Sequence, residues 1–183
     1  IYLSSISVYD PVGSDLITTQ TPLAPMDIYG LTKAEAEELI IQSGVEYVIL
    51  RLAPVYSDNF MENLEKRVPG LFGFKIFLSP HEKRYSFLGL SRLEDIIVNV
   101  IERGTVNSIQ NVADSEPMSQ VDILTRANTA AGRHITFHAG MAYACVRFIS
   151  CVLPKKKRRR ILTMAWKLLK RNIVTEETHA SRI

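Results

Sequence analysis

The chain has 183 residues, of which 46% are hydrophobic and 22% charged, and its formal net charge at pH 7 is +3. This length suits one globular domain or a part of a larger one, and the composition excludes disorder over most of the chain. A membrane-spanning helix needs roughly 18 apolar residues, whereas the apolar run at residues 141–153 is shorter and contains Arg147.

The first residues predict a short buried strand. Ile1 to Val8 is mostly apolar and runs into a polar turn. Because its first residues resemble the end of a strand already under way, we expect the chain to be truncated at its N-terminus. Ser4 and Ser5 then lie at the carboxyl end of a strand, where open α/β sheets bind ligands.

A helix and a second strand follow. Asp27 is the predicted N-cap of a helix that begins near Ile28, and Gly44 is its predicted stop. Val45 to Leu52 is an almost unbroken apolar run, which is typical of a strand covered on both faces in a parallel sheet. Strand, helix and strand together predict a βαβ unit.

The rest of the chain predicts alternating short elements. Apolar periodicity and turn residues indicate helices over 61–67, 93–102, 119–131 and 162–169, with Ser119 as the cap of the third. Strands are predicted over 74–78, 85–90 and 108–113.

Cysteines and histidines give little sign of a disulfide or a metal site. Cys145 and Cys151 are six residues apart in an apolar run, so reduced, buried thiols in a cytosolic protein are favoured over a disulfide. His134 and His138 lie in a predicted strand, where residues four apart are separated by about 13 Å. No metal site is predicted.

Six consecutive cations, Lys155 to Arg160, follow the apolar run. A solvated stretch between two helices is the favoured interpretation. The first alternative is peripheral membrane contact through residues 141–160, in which Phe148, Ile149 and Leu153 meet the lipid and the cations meet anionic headgroups. Nucleic-acid binding is less favoured. The predicted location is the cytoplasm, with the inner face of the membrane as the alternative.

Tyr29 and Lys33 are the candidate acid/base residues. They are four residues apart in the predicted helix and therefore share one face. A cation one turn away stabilises the phenolate form of a tyrosine. We therefore predict an acid/base pair at the start of this helix, beside the serines that end the first strand.

Three segments in order resemble the extended short-chain dehydrogenase/reductase family, the NAD-dependent epimerases and dehydratases of nucleotide sugars. Ser4 to Tyr9 is similar to the family's Ser-Ser-x-x-Val-Tyr, and Tyr29 to Lys33 is similar to its Tyr-Gly-x-Ser/Thr-Lys. Arg51 to Tyr56 resembles its Arg-Pro-x-Asn-Val-Tyr, with Pro54 in place of the asparagine. The UDP-sugar 4-epimerases of bacterial surface-polysaccharide assembly are the most similar branch.

The resemblance implies an α/β fold: the C-terminal part of a Rossmann-type doubly wound parallel sheet, with a smaller α/β substrate-binding lobe. Residues 1–56 would belong to the NAD-binding domain, whose first strands would precede Ile1. Residues 57–183 would form the lobe, with about 86–114 returning to the sheet. The glycine-rich turn that seats the cofactor pyrophosphate is missing from the sequence, so we expect this chain alone to bind NAD weakly or not at all and to be inactive.

The resemblance also implies roles for single residues. Tyr29 would take a proton from a sugar hydroxyl while a hydride passes to the nicotinamide. Lys33 would hold the nicotinamide ribose, and Ser5 would hydrogen-bond the same sugar oxygen, with Ser4 as its substitute.

Further residues are implied to bind cofactor and substrate. Ala53 and Val55, together with Tyr29 and Lys33, would contact NAD, with NADP as the alternative cofactor. Asn63 and Arg84 would bind the substrate.

The predicted function is epimerisation of a nucleotide sugar or a lipid-linked sugar through a transient keto intermediate. The alternatives are a dehydratase or a 4-keto-sugar reductase of the same superfamily, or a catalytically silent binding module. The expected partners are the sugar substrate and a second copy in a homodimer, and nucleic acid is not expected.

Overall fold

The computed structural model describes residues 1–9, 16–68, 70–71, 74–79, 84–126, 134–151, 154, 157–158, 161 and 174–175. The strands are β1 (Tyr2–Ser5), β2 (Leu16–Ile17), β3 (Val48–Leu52), β4 (Val55–Tyr56), β5 (Gly70–Leu71), β6 (Phe74–Ser79), β7 (Arg84–Tyr85), β8 (Leu88–Gly89), β9 (Ser108–Val112), β10 (Met118–Ser119), β11 (His134–His138) and β12 (Val174–Thr175). The α-helices are α1 (Ile28–Gln42), α2 (Glu62–Glu65), α3 (Leu90–Glu102), α4 (Gln120–Arg126) and α5 (Ala139–Ser150), and a 3-10 turn (Ile6–Val8) follows β1.

The chain divides into two compact units. Unit 1 consists of residues 1–60, 86–117 and 173–183, and unit 2 consists of residues 61–85 and 118–172. Unit 1 contains β1, α1, β3, α3 and β9. Unit 2 contains the small sheet β11-β6-β5, in which β6 pairs parallel with β11 and antiparallel with β5.

Unit 1 is built on a parallel sheet with the strand order β1-β3-β9. Residues 48–50 of the central strand are buried, as expected for a strand with a neighbour on each edge. Ser5 of β1 pairs with Leu52 of β3, which pairs with Val112 of β9. The three strands therefore end at one edge of the sheet, and the predicted βαβ unit and α/β fold class are confirmed.

Helix α1 has the ends that its sequence predicts. The Asp27 side chain accepts a hydrogen bond from the Gly30 N–H at 2.8 Å, which satisfies one of the donors left open in the first turn. Gly44 follows the helix with a φ of 74°, a left-handed conformation in which glycine is favoured. Helix α3 starts at Leu90, three residues before the predicted position, and buries Leu93 and Val100 in the core of unit 1.

The single strand predicted over residues 85–90 is wrong. Tyr85 belongs to β7, which pairs with β10 in unit 2, whereas Leu88 belongs to β8, which pairs with β4 in unit 1. Phe87, which lies between β7 and β8 in the sequence, is buried. One continuous strand cannot form here because its two halves pair with different neighbours.

Two further boundaries differ from the predictions. The first strand ends at Ser5 rather than Val8, because the Ser5 hydroxyl accepts a hydrogen bond from the Ser7 N–H at 3.2 Å and begins the 3-10 turn. The helix predicted over residues 61–67 is the single turn α2.

Unit 2 confirms the predicted cap at Ser119. The Ser119 hydroxyl accepts a hydrogen bond from the Asp122 N–H at 3.2 Å, and the Ser119 N–H donates to the Asp122 carboxylate at 2.8 Å. This N–H and the Ser119 hydroxyl hold the pKa of Asp122 below its usual value. The helix predicted over 162–169 lies outside the described residues.

The prediction of buried thiols is wrong. Cys145 and Cys151 are both exposed, and neither is in a disulfide. Their exposure follows from the orientation of α5, because Ala144 and Phe148, on the same side of the helix, are exposed as well.

Candidate active site

The start of α1 lies directly on the turn that follows β1. A Cβ atom on Gly30 would be 2.2 Å from the carbonyl oxygen of Ser7, closer than real Cβ atoms approach an oxygen. Only glycine therefore lets α1 pack this closely against the 3-10 turn. The contact places Tyr29, the residue before Gly30, close to the carboxyl end of β1.

Tyr29 and Lys33 share one face of α1. The Lys33 Nζ atom is 6.0 Å from the centre of the Tyr29 ring and 4.8 Å from the centre of the Tyr2 ring. Nζ also donates a hydrogen bond to the carbonyl oxygen of Leu3 at 2.8 Å, so the ammonium is held against β1. Tyr29 itself is 55% exposed, which leaves its phenol open to a substrate.

The two serines at the end of β1 have different environments. Ser4 is buried, and its hydroxyl donates a hydrogen bond to the carboxylate of Glu37. Ser5 is half-buried, and its hydroxyl oxygen accepts from the Ser7 N–H. The Ser5 hydroxyl therefore has the more accessible position, whereas the Ser4 hydroxyl is committed to Glu37.

Ala53 and Val55 follow the end of β3, beside the ends of β1 and β9. Ala53 is buried, and its N–H donates to the carbonyl oxygen of Val112 at 2.9 Å. Val55 is half-buried and lies in β4, opposite Leu88. Tyr29, Lys33, Ser5, Ala53 and Val55 thus all belong to unit 1, in the segments that leave the carboxyl edge of its sheet.

Sequence reasoning did not identify a buried polar network behind this edge. Arg51, in the central strand, forms an ion pair with Glu37 of α1, with 2.7 Å between Nη2 and Oε2, and both side chains are almost fully buried. The Arg51 Nη1 atom donates to the Tyr9 hydroxyl at 2.8 Å, and that hydroxyl donates to the Asn111 side chain at 2.6 Å. The network joins α1 to all three strands of the sheet.

Burial and hydrogen bonding both act on the ionisable groups of this network. Burial acts to lower the pKa of Arg51, but its hydrogen bonds to Glu37 and Tyr9 outweigh that effect and raise it. Burial raises the pKa of Tyr9. The sequence does contain one signal, since an arginine inside a buried apolar strand needs a partner of opposite charge.

Asp114 forms a second polar contact, just beyond the end of β9. Its carboxylate accepts hydrogen bonds from the Gly89 N–H, at 3.1 and 3.2 Å, and from the Tyr56 hydroxyl at 3.0 Å. Because Gly89 immediately precedes α3, the carboxylate faces the positive end of that helix.

The two residues predicted to bind substrate belong to unit 2. Asn63 is half-buried on α2, and Arg84 is exposed on β7, opposite Ser119. Among the described residues, no group of three His, Cys, Asp or Glu side chains is placed to hold a metal ion. Within the same part of the chain, no helix has the length and apolarity to cross a membrane.

The sequence and the fold both match known proteins. Residues 1–71 match the RmlD substrate binding domain family. The chain is 30% identical over 139 residues to a UDP-glucose 4-epimerase of Vibrio cholerae, a match that covers 68% of this chain and 40% of that protein.

Two solved structures share the fold. A UDP-glucuronic acid 4-epimerase from Bacillus cereus in complex with NAD has a TM-score of 0.55 and 18% identity, covering 74% of this chain and 48% of that one. A dTDP-4-dehydrorhamnose reductase from Bacillus anthracis in complex with NADP has a TM-score of 0.56 and 17% identity, and the match covers 76% of this chain and 50% of that one.

The chain spans 40% of the length of the curated relative and about half of each structure. The match to the RmlD substrate binding domain family includes the segments that carry Ser5, Tyr29 and Lys33, and the structures confirm the fold that the sequence resemblance implies. The chain is thus similar in sequence and fold to the NAD-dependent sugar epimerases and reductases of the extended short-chain dehydrogenase/reductase family.

Proposed function

We propose that the protein containing this chain epimerises a nucleotide sugar or a lipid-linked sugar through a transient keto intermediate, in surface-polysaccharide assembly. The observation that carries the proposal is the pair Tyr29 and Lys33. Tyr29 is exposed, and the Lys33 ammonium, 6.0 Å from the centre of its ring, is hydrogen-bonded to Leu3 of β1. The relationship to a UDP-glucose 4-epimerase supports the same activity.

Tyr29 is the proposed acid and base. Its phenol oxygen removes the proton of the sugar hydroxyl in the oxidative half-reaction and returns a proton to the sugar oxygen in the reductive half. The Lys33 ammonium lies on the same face of α1, 6.0 Å from the centre of the Tyr29 ring. The Ser5 hydroxyl donates to the same sugar oxygen, a role that its accessible position supports.

The residues near the sheet edge suit the nicotinamide end of NAD or NADP. An ammonium has three N–H donors, and the hydrogen bond to Leu3 uses one of those on Lys33, which suits ribose hydroxyls. Ala53 and Val55 offer small apolar side chains to the nicotinamide. When bound, the cofactor supplies the hydride acceptor and donor that the sugar oxidation requires.

Reduction of a 4-keto sugar is the second candidate. The match of residues 1–71 to the RmlD substrate binding domain family favours it, as does the fold shared with a dTDP-4-dehydrorhamnose reductase. The same Ser5, Tyr29 and Lys33 serve both reactions, because each requires proton transfer to a sugar oxygen. We assign Asn63 and Arg84 to the substrate in either reaction, since an amide and a guanidinium recognise phosphate oxygens.

The test is turnover by the protein expressed from its complete gene. With NAD and UDP-glucose, UDP-N-acetylglucosamine or UDP-glucuronic acid, we expect the C4 epimer, identified by proton NMR. Conversion in D2O without deuterium at C4 indicates internal hydride return. Oxidation of NADPH by a dTDP-4-keto sugar, without epimerisation, would instead establish the reductase. A folded protein that turns over none of these sugars would support the silent binding module and contradict both candidates.

A further inference from the structure

The positive charge of the chain is concentrated in one segment. Residues 123–175 contain 12 of the 22 Lys and Arg residues and none of the 19 Asp and Glu residues. The other ten basic residues share the remaining 130 positions with all 19 acidic ones. A net charge of +3 for the whole chain therefore conceals a strongly cationic segment.

Helix α5, within this segment of unit 2, exposes an apolar face. Phe148 is 82% exposed, the highest value for a large hydrophobic side chain in the described part of the chain. Ala144, Cys145 and Cys151 are exposed as well, and they lie four, three and three residues from Phe148 along the chain. Residues three or four apart share one side of a helix, so Phe148 stands in the middle of an apolar stripe.

Basic residues follow this apolar stripe in the sequence, starting at Lys155. The Arg158 N–H donates to the carbonyl oxygen of Pro154 at 2.9 Å, the hydrogen bond of a helical turn, so a new turn begins after the break at Pro154. Lys157 and Arg158 on this turn are exposed, as is Arg147 on α5. The side chains of Ile149 and Leu153, which the sequence also assigns to this patch, lie outside the described ones.

We propose that unit 2 docks through the exposed side chains of Phe148, Arg147, Lys157 and Arg158 on the surface of a membrane that contains anionic lipids. An exposed aromatic side chain beside cations is the combination that such an interface binds: the ring enters the headgroup region, and the ammonium and guanidinium groups meet lipid phosphates. The phosphates of nucleic acid would attract the cations but would not require the apolar stripe. The exposure of Phe148, Arg147, Lys157 and Arg158 thus supports a membrane surface over a solvated stretch for these residues.

Vesicle co-sedimentation of the 183-residue chain tests the proposal. We expect binding to vesicles of phosphatidylcholine and phosphatidylglycerol, weak binding to phosphatidylcholine alone, and weaker binding as salt is raised. Because each cation near an anionic surface contributes about 1 kcal/mol, replacing both Lys157 and Arg158 with Ala weakens binding about 25-fold. Phe148→Ser weakens it roughly tenfold, because a buried aromatic side chain is lost from the lipid.

Matched variants at the C-terminal end of α3, in unit 1, provide the controls. Ile101 is 65% exposed and Arg103 is exposed, so Ile101→Ser and Arg103→Ala should leave vesicle binding unchanged. All of these positions are at the surface, and circular dichroism verifies that the variants are folded. Equal binding to neutral and anionic vesicles, or unchanged binding by Phe148→Ser, would overturn the proposal. Displacement from vesicles by duplex DNA, with the tighter affinity for DNA, would assign the cations to nucleic acid instead.

Discussion

Glu37 of α1 and Arg51 of β3 form a buried ion pair that fastens the helix carrying Tyr29 and Lys33 to the central strand of the sheet. Three hydrogen bonds join the two side chains, and Ser4 donates a fourth to the same carboxylate. Gly30 and Glu37 are the buried residues of α1, and Ala34 is half-buried against the core. Polar contacts therefore help to position this helix.

Removal of the Glu37 carboxylate should be strongly destabilising. Glu37→Ala leaves the Arg51 guanidinium buried without its counter-charge, and we expect the free energy of unfolding to fall by about 3–5 kcal/mol. Urea unfolding followed by circular dichroism measures the change. Glu38→Ala is the matched control, because Glu38 is the exposed neighbour, and a loss within about 0.5 kcal/mol is expected there. Equal losses of unfolding free energy in Glu37→Ala and Glu38→Ala would show that the ion pair does not stabilise the fold.

Gly30→Ala should reverse the usual effect of alanine in a helix. Alanine is normally more stabilising than glycine by about 0.5–1 kcal/mol, but here its Cβ would lie 2.2 Å from the Ser7 carbonyl oxygen. The turn or the helix must move, so we expect a loss of roughly 1–3 kcal/mol in unfolding free energy. Urea unfolding is again the measurement. A gain in stability would contradict the close packing of α1 on the turn.

Tyr29→Phe should separate activity from stability. Tyr29 is 55% exposed, so loss of its hydroxyl should change the free energy of unfolding by less than about 0.5 kcal/mol. If the phenol transfers the proton, turnover of the protein expressed from its complete gene falls by about 10²–10⁴-fold. Tyr47→Phe, with its half-buried ring before β3, is the control and should retain turnover. Unchanged turnover in Tyr29→Phe would remove Tyr29 from the mechanism.

Alkaline pH should weaken the buried network through Tyr9. Burial raises its pKa above that of an unfolded tyrosine, about 10. The unfolded chain therefore loses this proton first, and the stability that Tyr9 contributes is present below pH 10 and is lost as the pH rises through the folded pKa. Urea unfolding between about pH 9 and 11 measures the slope. Tyr9→Phe should make the decline shallower, and it should not abolish it, because burial also raises the pKa of Tyr85.

Asp114→Ala should destabilise unit 1 at the start of α3. The variant leaves the Gly89 N–H and the Tyr56 hydroxyl without the carboxylate that accepts from both, which costs about 1–3 kcal/mol. Asp114→Asn keeps one acceptor oxygen and should recover part of the loss. Glu116→Ala, at an exposed position two residues later, should leave urea unfolding unchanged. If Asp114→Ala also leaves it unchanged, these hydrogen bonds contribute nothing measurable.

Local signals made part of the fold predictable. Asp27 and Gly44 fix the ends of α1 through contacts within a few residues, and the unbroken apolar run fixes β3 as an interior strand. The break between Tyr85 and Leu88 was not predictable, because both residues fit one strand pattern and the difference arises from distant partners. The prediction that the cysteines are buried was wrong for a similar reason, because an apolar run does not show which side of a helix packs against the rest of the protein.

The sequence predicted that Tyr29 and Lys33 lie together, but it did not predict the buried polar network around Arg51. The spacing of Tyr29 and Lys33 places them on one face in any regular helix. The partner of Arg51 required the structure, because α1 also carries Glu35 and Glu38, and only the rotation of the helix selects Glu37. The catalytic and binding roles of all the site residues stay predictions: Ser5, Tyr29, Lys33, Ala53, Val55, Asn63 and Arg84.

The ion pair has a geometric consequence for any substrate. Two surfaces in apolar contact can slide past each other, whereas hydrogen bonds between a guanidinium and a carboxylate require a defined geometry. The ion pair therefore restricts movement of α1 both along its axis and perpendicular to it. Glu37 is eight residues from Tyr29, or about 12 Å at the helical rise of 1.5 Å per residue. The ion pair with Arg51 therefore also fixes the position of the Tyr29 phenol along the axis of α1.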